Sequence, residues 1–219
     1  LKMDAFDFVQ KSELKSTPTY ANHPDIALAV IESAEYKQGA FGKTPDAEMF
    51  DIVFRLLTTA SQNKAKSAEN AGDIIRYKAV LPHTTFNERA NEVKGSIFKR
   101  LCESAESTDY PSYKTNRKKL CSDLTGKQVK IVIVLEEAFV IDKDSKEPMI
   151  KNFTKVSIVE HPNNTINKSM SDIQKIVPLK PQRKKAYDDA KAYWDSLHTQ
   201  EPQQGVVEQK GNDPFDAIM

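Results

Sequence analysis

Asp73-Ile74-Ile75-Arg76-Tyr77-Lys78-Ala79-Val80-Leu81, followed after a short polar break by Asn87-Glu88-Arg89-Ala90-Asn91-Glu92-Val93-Lys94-Gly95-Ser96-Ile97-Phe98-Lys99-Arg100-Leu101, is the stretch on which the fold turns. The first run alternates, with Ile75, Tyr77, Ala79 and Leu81 on one side and Ile74, Arg76, Lys78 and Val80 on the other, which is the period of a β-strand. The second, read as a helix over Asn87 to Ser104, sets Val93, Ile97, Phe98 and Leu101 at helical spacing. Glu88 and Glu92 come early in it and Lys99-Arg100 late, as the helix dipole favours. A strand therefore hands over directly to a helix.

Upstream, Ile26 to Lys37 alternates Ile26, Leu28 and Val30 against Ala27, Ala29 and Ile31, and Met49 to Leu57 places Phe50, Ile52, Phe54 and Leu56 on one face. Gly39-Ala40-Phe41-Gly42-Lys43 supplies a turn between them, so the two runs read as a long hairpin. The polar stretch from Thr58 to Gly72 is a loop, and the residues before Asn22, with Phe6 and Phe8 alternating, read as a short edge strand and a loop.

Downstream of the helix, Pro111 and the basic run Lys114 to Lys119 form a loop. Gln128 to Ile141 is nearly continuous Val, Ile and Leu, and Asp142 to Pro148 turns the chain into Ile150 to Glu160. Arg183 to Leu197 is a last helix with Tyr187, Ala190, Tyr193, Trp194 and Leu197 on its apolar side, expected to dock on the strands. The order of three strands, a helix and two strands predicts a mainly β fold with minor α. Its form is an OB-like five-stranded Greek-key barrel with a helix between strands 3 and 4, although other small mixed barrels share the string. A domain over 1–198 and a flexible acidic tail over 199–219 complete the expected organisation.

Composition agrees with this class. The chain has 219 residues, 39% hydrophobic and 29% charged, and a mean hydropathy of −0.58, enough for one core under a solvated surface. No run approaches the roughly 20 apolar residues of a membrane span, and Leu1-Lys2-Met3-Asp4 lacks a signal peptide's apolar stretch. Cys102 and Cys121 are too few for a disulfide framework and too far apart for a metal knuckle, so reduced thiols and a cytoplasmic setting are expected. The formal charge of +1 hides segregation, because Glu201, Glu208, Asp213 and Asp216 against Lys210 make the tail acidic and the remainder basic.

Several cations and aromatics form candidate binding constellations. Arg55 on the second strand and Arg76 and Lys78 on the third point away from the apolar sets, so they share an outer surface, either as phosphate contacts or as solvated charges that discourage edge pairing. Lys37, Phe41 and Lys43 frame the hairpin tip, where Phe41 either stacks on a base or folds back onto the core. Lys151, Phe153 and Lys155 share one face of the last strand, an aromatic between cations, with an amphipathic edge strand as the plain alternative. Lys114, Arg117, Lys118 and Lys119 track a backbone or make a solvated loop.

Chemistry-bearing patterns are thin. His23, His83, His161 and His198 are isolated, and Glu136 and Glu137 fall on opposite strand faces. Gly126-Lys127 lacks the earlier glycine of a phosphate loop, and Asp142-Lys143-Asp144 lacks the Gly and Glu of a calcium loop. Neither catalysis nor a metal or cofactor is expected.

Val30-Ile31-Glu32-Ser33-Ala34-Glu35-Tyr36-Lys37, the Gly-rich turn, Glu48-Met49-Phe50-Asp51-Ile52-Val53-Phe54 and Asp123-Leu124-Thr125-Gly126-Lys127-Gln128-Val129 resemble a family of bacteriophage single-stranded DNA-binding proteins with an OB fold, over roughly residues 24–160. Asn212-Asp213-Pro214-Phe215-Asp216 is similar to the acidic tip by which bacterial single-stranded DNA-binding proteins engage partners. It departs from that pattern in that Ala217-Ile218-Met219 follow, moving the terminal carboxylate off Phe215. The resemblance implies sequence-independent binding and protection of single-stranded DNA in phage replication or recombination, in the cytoplasm of an infected host cell. It also implies recruitment of polymerase, helicase or recombination proteins through Asp213, Pro214, Phe215 and Asp216. The rival expectations are a phage structural or assembly protein that meets acidic protein, and a metal-dependent nuclease.

Overall fold

The computed structural model describes residues 20–41, 44–59 and 72–198, with the side chains of residues 40, 41, 44 and 45 also outside the description. The expectations placed on residues 1–19, on Lys43 and on the tail 199–219 lie outside it. The elements run β1 (Asp25–Phe41), β2 (Thr44–Thr59), β3 (Ile74–Val80), α1 (Glu88–Ser104), α2 (Tyr110–Thr115), α3 (Arg117–Leu124), β4 (Gln128–Ile141), β5 (Pro148–Glu160), α4 (Met170–Ile173) and α5 (Pro181–His198). The strands form one five-stranded sheet in the order β3-β2-β1-β4-β5, with β1 antiparallel to both β2 and β4 and β2 antiparallel to β3. The chain divides into two units, residues 1–137 with 152–178, and residues 138–151 with 179–219.

In the first unit the core follows the alternation. Phe50, Ile52, Phe54 and Leu56 of β2 are buried, as are Ile75 and Ala79 of β3 and Val129, Ile131 and Ile133 of β4. On β1 it is the Ala27, Ala29 and Ile31 set that is buried. Pairing runs from Ile31↔Phe54 to Ser33↔Val53, so Glu32 is an extra residue, a β-bulge, and beyond it the inward side chains become Ala34 and Tyr36. The bulge flips the parity of β1 and sends Ser33, Glu35 and Lys37 outward. A second apolar cluster lies on the other face of the sheet, where Ile166, Met170 and Ile173 pack with Val132, Val134, Ile26 and Ile158. Val177 adds a parallel bridge to β4 at Glu136.

Three expectations are corrected. The hairpin is longer than the sequence suggests, since β2 begins at Thr44 and Gly39 lies within β1. The basic run is not a loop: Lys114 lies in α2, and Arg117, Lys118 and Lys119 in α3. Asn116 caps the start of α3, its side chain accepting from the Lys119 amide, while Tyr113, Leu120 and Leu124 are buried. The charges are the outer side of two short amphipathic turns. Helix α1 has the expected bounds and an Asn87 cap, but no basic residue in its last turn. Leu101 and Cys102 are its buried side and Phe98 stacks on Phe50 at 5.3 Å, while Val93 and Ile97 are exposed.

In the second unit α5 buries no residue completely. Tyr187 meets Phe139 edge-on at 5.8 Å and Lys191 pairs with Glu147 at 2.9 Å. Tyr193 and Leu197, expected to dock, are 68% and 57% exposed. Because 100° per residue swings Tyr193 away from Tyr187, the aromatic stripe is wider than one contact face. At the turn, Asp142 Oδ1 accepts from the Asp144 and Ser145 amides, an Asx turn that uses the carboxylate internally and holds its pKa down.

Candidate nucleic-acid interface

The outer face of β1, β2 and β3 carries the best-defined charge constellation. Cross-strand partners share a face, and the register places Val53 opposite Arg76, Asp51 opposite Lys78 and Glu35 opposite Asp51. Lys37 joins them, its Nζ lying 2.8 Å from Asp51 and 3.0 Å from Glu35. These hydrogen-bonded ion pairs push the Lys37 ammonium above its ordinary pKa. Arg55 pairs with Glu32 and donates to the Gly72 carbonyl at 3.0 Å. Arg76 and Lys78 are exposed and form no ion pair with another described residue. Thus Lys37, Arg55, Arg76 and Lys78 are brought together, two of them already held by Glu32, Glu35 and Asp51.

The other predicted cations lie elsewhere. Phe153, 48% exposed, and Lys155, paired with Glu136 at 2.6 Å, are on β5, at the opposite end of the strand order from Arg76 and Lys78. Lys151 belongs to the second unit and lies 3.6 Å from Asp142. Phe41 closes β1 opposite Thr44, with its side chain outside the described residues. Lys114 and Lys118 are exposed, whereas Arg117 donates to the Tyr113 carbonyl at 2.5 Å and to Glu48 at 3.0 Å. Lys119 bridges Asp123 and Asp109. Half of the basic run therefore braces helices.

A feature the residue pattern did not single out lies where β3 and β5 approach α1. Tyr77, Val93, Ile97 and Ile158 line a cavity of about 420 Å³, with Glu92 and Arg100 also at its wall. Burial pushes the Tyr77 hydroxyl up to about 12. The signal was present in the i, i+4 pair Val93 and Ile97, whose apolar character was assigned wholly to the core.

Among the described residues no group of His, Cys, Asp and Glu is arranged to hold a metal ion, and no helix is long and apolar enough to cross a membrane. Both cysteines are free thiols, with Cys102 pushed up to about 12 by burial. No protein-family model and no curated protein matches the chain.

Proposed function

We propose that this chain binds single-stranded DNA without sequence preference, as an OB-like Greek-key barrel whose β1-β2-β3 outer face meets the phosphates. The observation that carries the reading is the pair Arg76 and Lys78, exposed on one strand face beside Lys37 and Arg55. The strand order is consistent with the OB connectivity, in which β1 is shared by β2 and β4 and a helix follows β3. In that fold the second and third strands and the loops flanking them hold oligonucleotides. Residues of β3 and β5 line one cavity, which supports a sheet curled toward closure.

Magnitudes favour phosphate over the existing carboxylate partners. A largely exposed ion pair contributes about 0–1 kcal/mol, so exchanging Glu32 for phosphate at Arg55 costs little, whereas Asp51 is buried and keeps Lys37 as its partner. Each phosphate contact meanwhile adds about 0.7 to the slope of log K against log salt on single strands. Phe153 offers an exposed ring, and stacking a base contributes about 1–3 kcal/mol that a paired duplex cannot supply. In this reading the acidic tail, with Phe215 between Asp213 and Asp216, recruits replication or recombination proteins.

A titration of labelled oligo(dT) against the matched duplex at two salt concentrations tests this. The expected result is salt-sensitive binding of the single strand and little of the duplex. Absence of binding at low salt overturns the reading in favour of a protein-binding or assembly role. Cleavage products with magnesium overturn it in favour of a nuclease.

A further inference from the structure

We propose that the outer edge of β3 takes up an extended partner peptide in which apolar and acidic residues alternate, added as a further strand over the cavity beside α1. This site does not depend on DNA binding. β3 and β5 end the strand order, so neither has a strand partner on its outer edge among the described residues. Such an edge is a template on which one more strand can pair through its backbone.

Parity decides which groups this edge offers. The Leu81 amide donates to the Glu48 carbonyl of β2 at 2.9 Å, whereas the Ile74 carbonyl accepts from the Ala21 amide at 2.9 Å, on the side away from β2. The N–H and C=O of one residue leave a strand on the same side, and that side alternates along it. Ile75, Tyr77, Ala79 and Leu81 therefore bond β2, while Arg76 and Lys78 turn their backbone groups outward. The first outward position already holds extended chain, since Tyr20 bridges Ile74 in parallel and Thr154 of β5 donates its hydroxyl to the Ala21 carbonyl at 2.6 Å. One residue spans the space between β3 and β5 there. At Arg76 and Lys78 no described residue continues that pairing.

The two faces of the edge specify the peptide. Arg76 and Lys78 are exposed on the outer face, about 7 Å apart along the strand, and form no ion pair with a described residue. On the opposite face Tyr77 packs toward Phe54, and the cavity of about 420 Å³ beside it is walled by Val93, Ile97 and Val159. Val93 and Ile97 are half-exposed, whereas Val159 is buried. A strand laid along β3 shares its period of two. Acidic side chains at alternate positions then face Arg76 and Lys78 as cross-strand pairs of opposite charge, and the residues between them put apolar side chains into the cavity. A basic peptide would meet like charge on the outer face, and an all-polar one would leave the apolar wall uncovered.

The test uses the full chain without nucleic acid and a fluorescein-labelled peptide, Ser-Val-Asp-Val-Asp-Val-Ser, followed by fluorescence anisotropy. This peptide is expected to bind at least tenfold more tightly than the same residues out of alternation, Ser-Val-Val-Asp-Asp-Val-Ser. N-methylation of one alternate set of its amides is expected to abolish binding and of the other set to leave it, because only one set faces β3. Lys78→Ala is expected to weaken binding, and Lys78→Pro to weaken it at least tenfold further, since proline also removes an N–H that points away from β2, a loss an edge strand tolerates. No saturable binding, equal affinities of the two peptides, equal effects of the two methylated sets, or Lys78→Pro binding as well as Lys78→Ala each overturn the proposal. Oligo(dT) binding is a separate measurement, so either reading can fail while the other stands.

Discussion

Single side chains divide the candidate face into free and engaged cations, and the two classes are expected to respond differently to substitution. Arg76→Ala and Lys78→Ala each remove a cation that has no described ion-pair partner, so each is expected to lower the salt slope of oligo(dT) binding by about 0.7, without moving the melting temperature. An unchanged slope in a folded double variant would place the strand elsewhere. Glu32→Gln acts in the opposite direction, because it frees Arg55 from its carboxylate. Binding is expected to tighten by at most about fivefold, the equivalent of about 1 kcal/mol for an exposed pair, and a loss of affinity would show Glu32 to be positioning Arg55. Phe153→Ala is expected to cost affinity and not stability, since a buried ring would instead cost about 3–5 kcal/mol on truncation. The two losses are separated by measuring both.

At the scale of elements, a polar network ties α3 to the β1-β2 hairpin. Tyr36 donates to Glu48 at 2.6 Å and Arg117 donates to its other oxygen at 3.0 Å. Burial pushes the Glu48 carboxyl up, but the hydrogen bonds from Tyr36 and Arg117 outweigh it and the net shift is downward. A carboxyl lowered on folding contributes stability that is complete above its unfolded pKa and is lost as the pH falls through its folded value. Glu48→Gln is therefore expected to destabilise the protein at neutral pH and to flatten the acid limb of its stability profile. An unaltered acid limb in urea unfolding would remove the network from that role.

Much of this sheet was legible because period two survives in β2 and β3, where one face is core, and because β4, buried on both faces, is a nearly continuous run of Val, Ile and Leu. The β1 faces were not, because a bulge at Glu32 leaves no mark in the residue alternation. The α2 and α3 turns were hidden because Lys114, Lys118 and Lys119 dominate a stretch whose apolar side is only Tyr113, Leu120 and Leu124. Asn116, accepting from Lys119, was the readable cap. Of the candidate site, outward pointing of Arg55, Arg76 and Lys78 followed from alternation. Their carboxylate neighbours depended on register, which pairing between strands sets and no single strand encodes.

At the scale of the whole molecule, charge is distributed so that residues 199–219 oppose the rest of the chain. Glu201, Glu208, Asp213 and Asp216 against Lys210 give these residues an excess of negative charge, while the full chain is formally +1. A covalently attached anionic segment is present at high effective concentration near any cationic face it can reach, so under the proposed function it is expected to compete with DNA phosphates for Arg76, Lys78 and their neighbours. The competition is electrostatic, and at about 0.15 M salt the screening length falls to about 8 Å. Removing residues 199–219 is therefore expected to tighten oligo(dT) binding at low salt, with the gain shrinking as salt rises, and to abolish capture of partner proteins by Phe215 and its flanking aspartates. The Arg76→Ala, Lys78→Ala protein supplies the control, because a chain lacking those cations should gain less from losing the tail. Equal affinities of full-length and shortened protein at low salt would eliminate competition. An equal gain in the double variant would place the tail's target away from the β1-β2-β3 face.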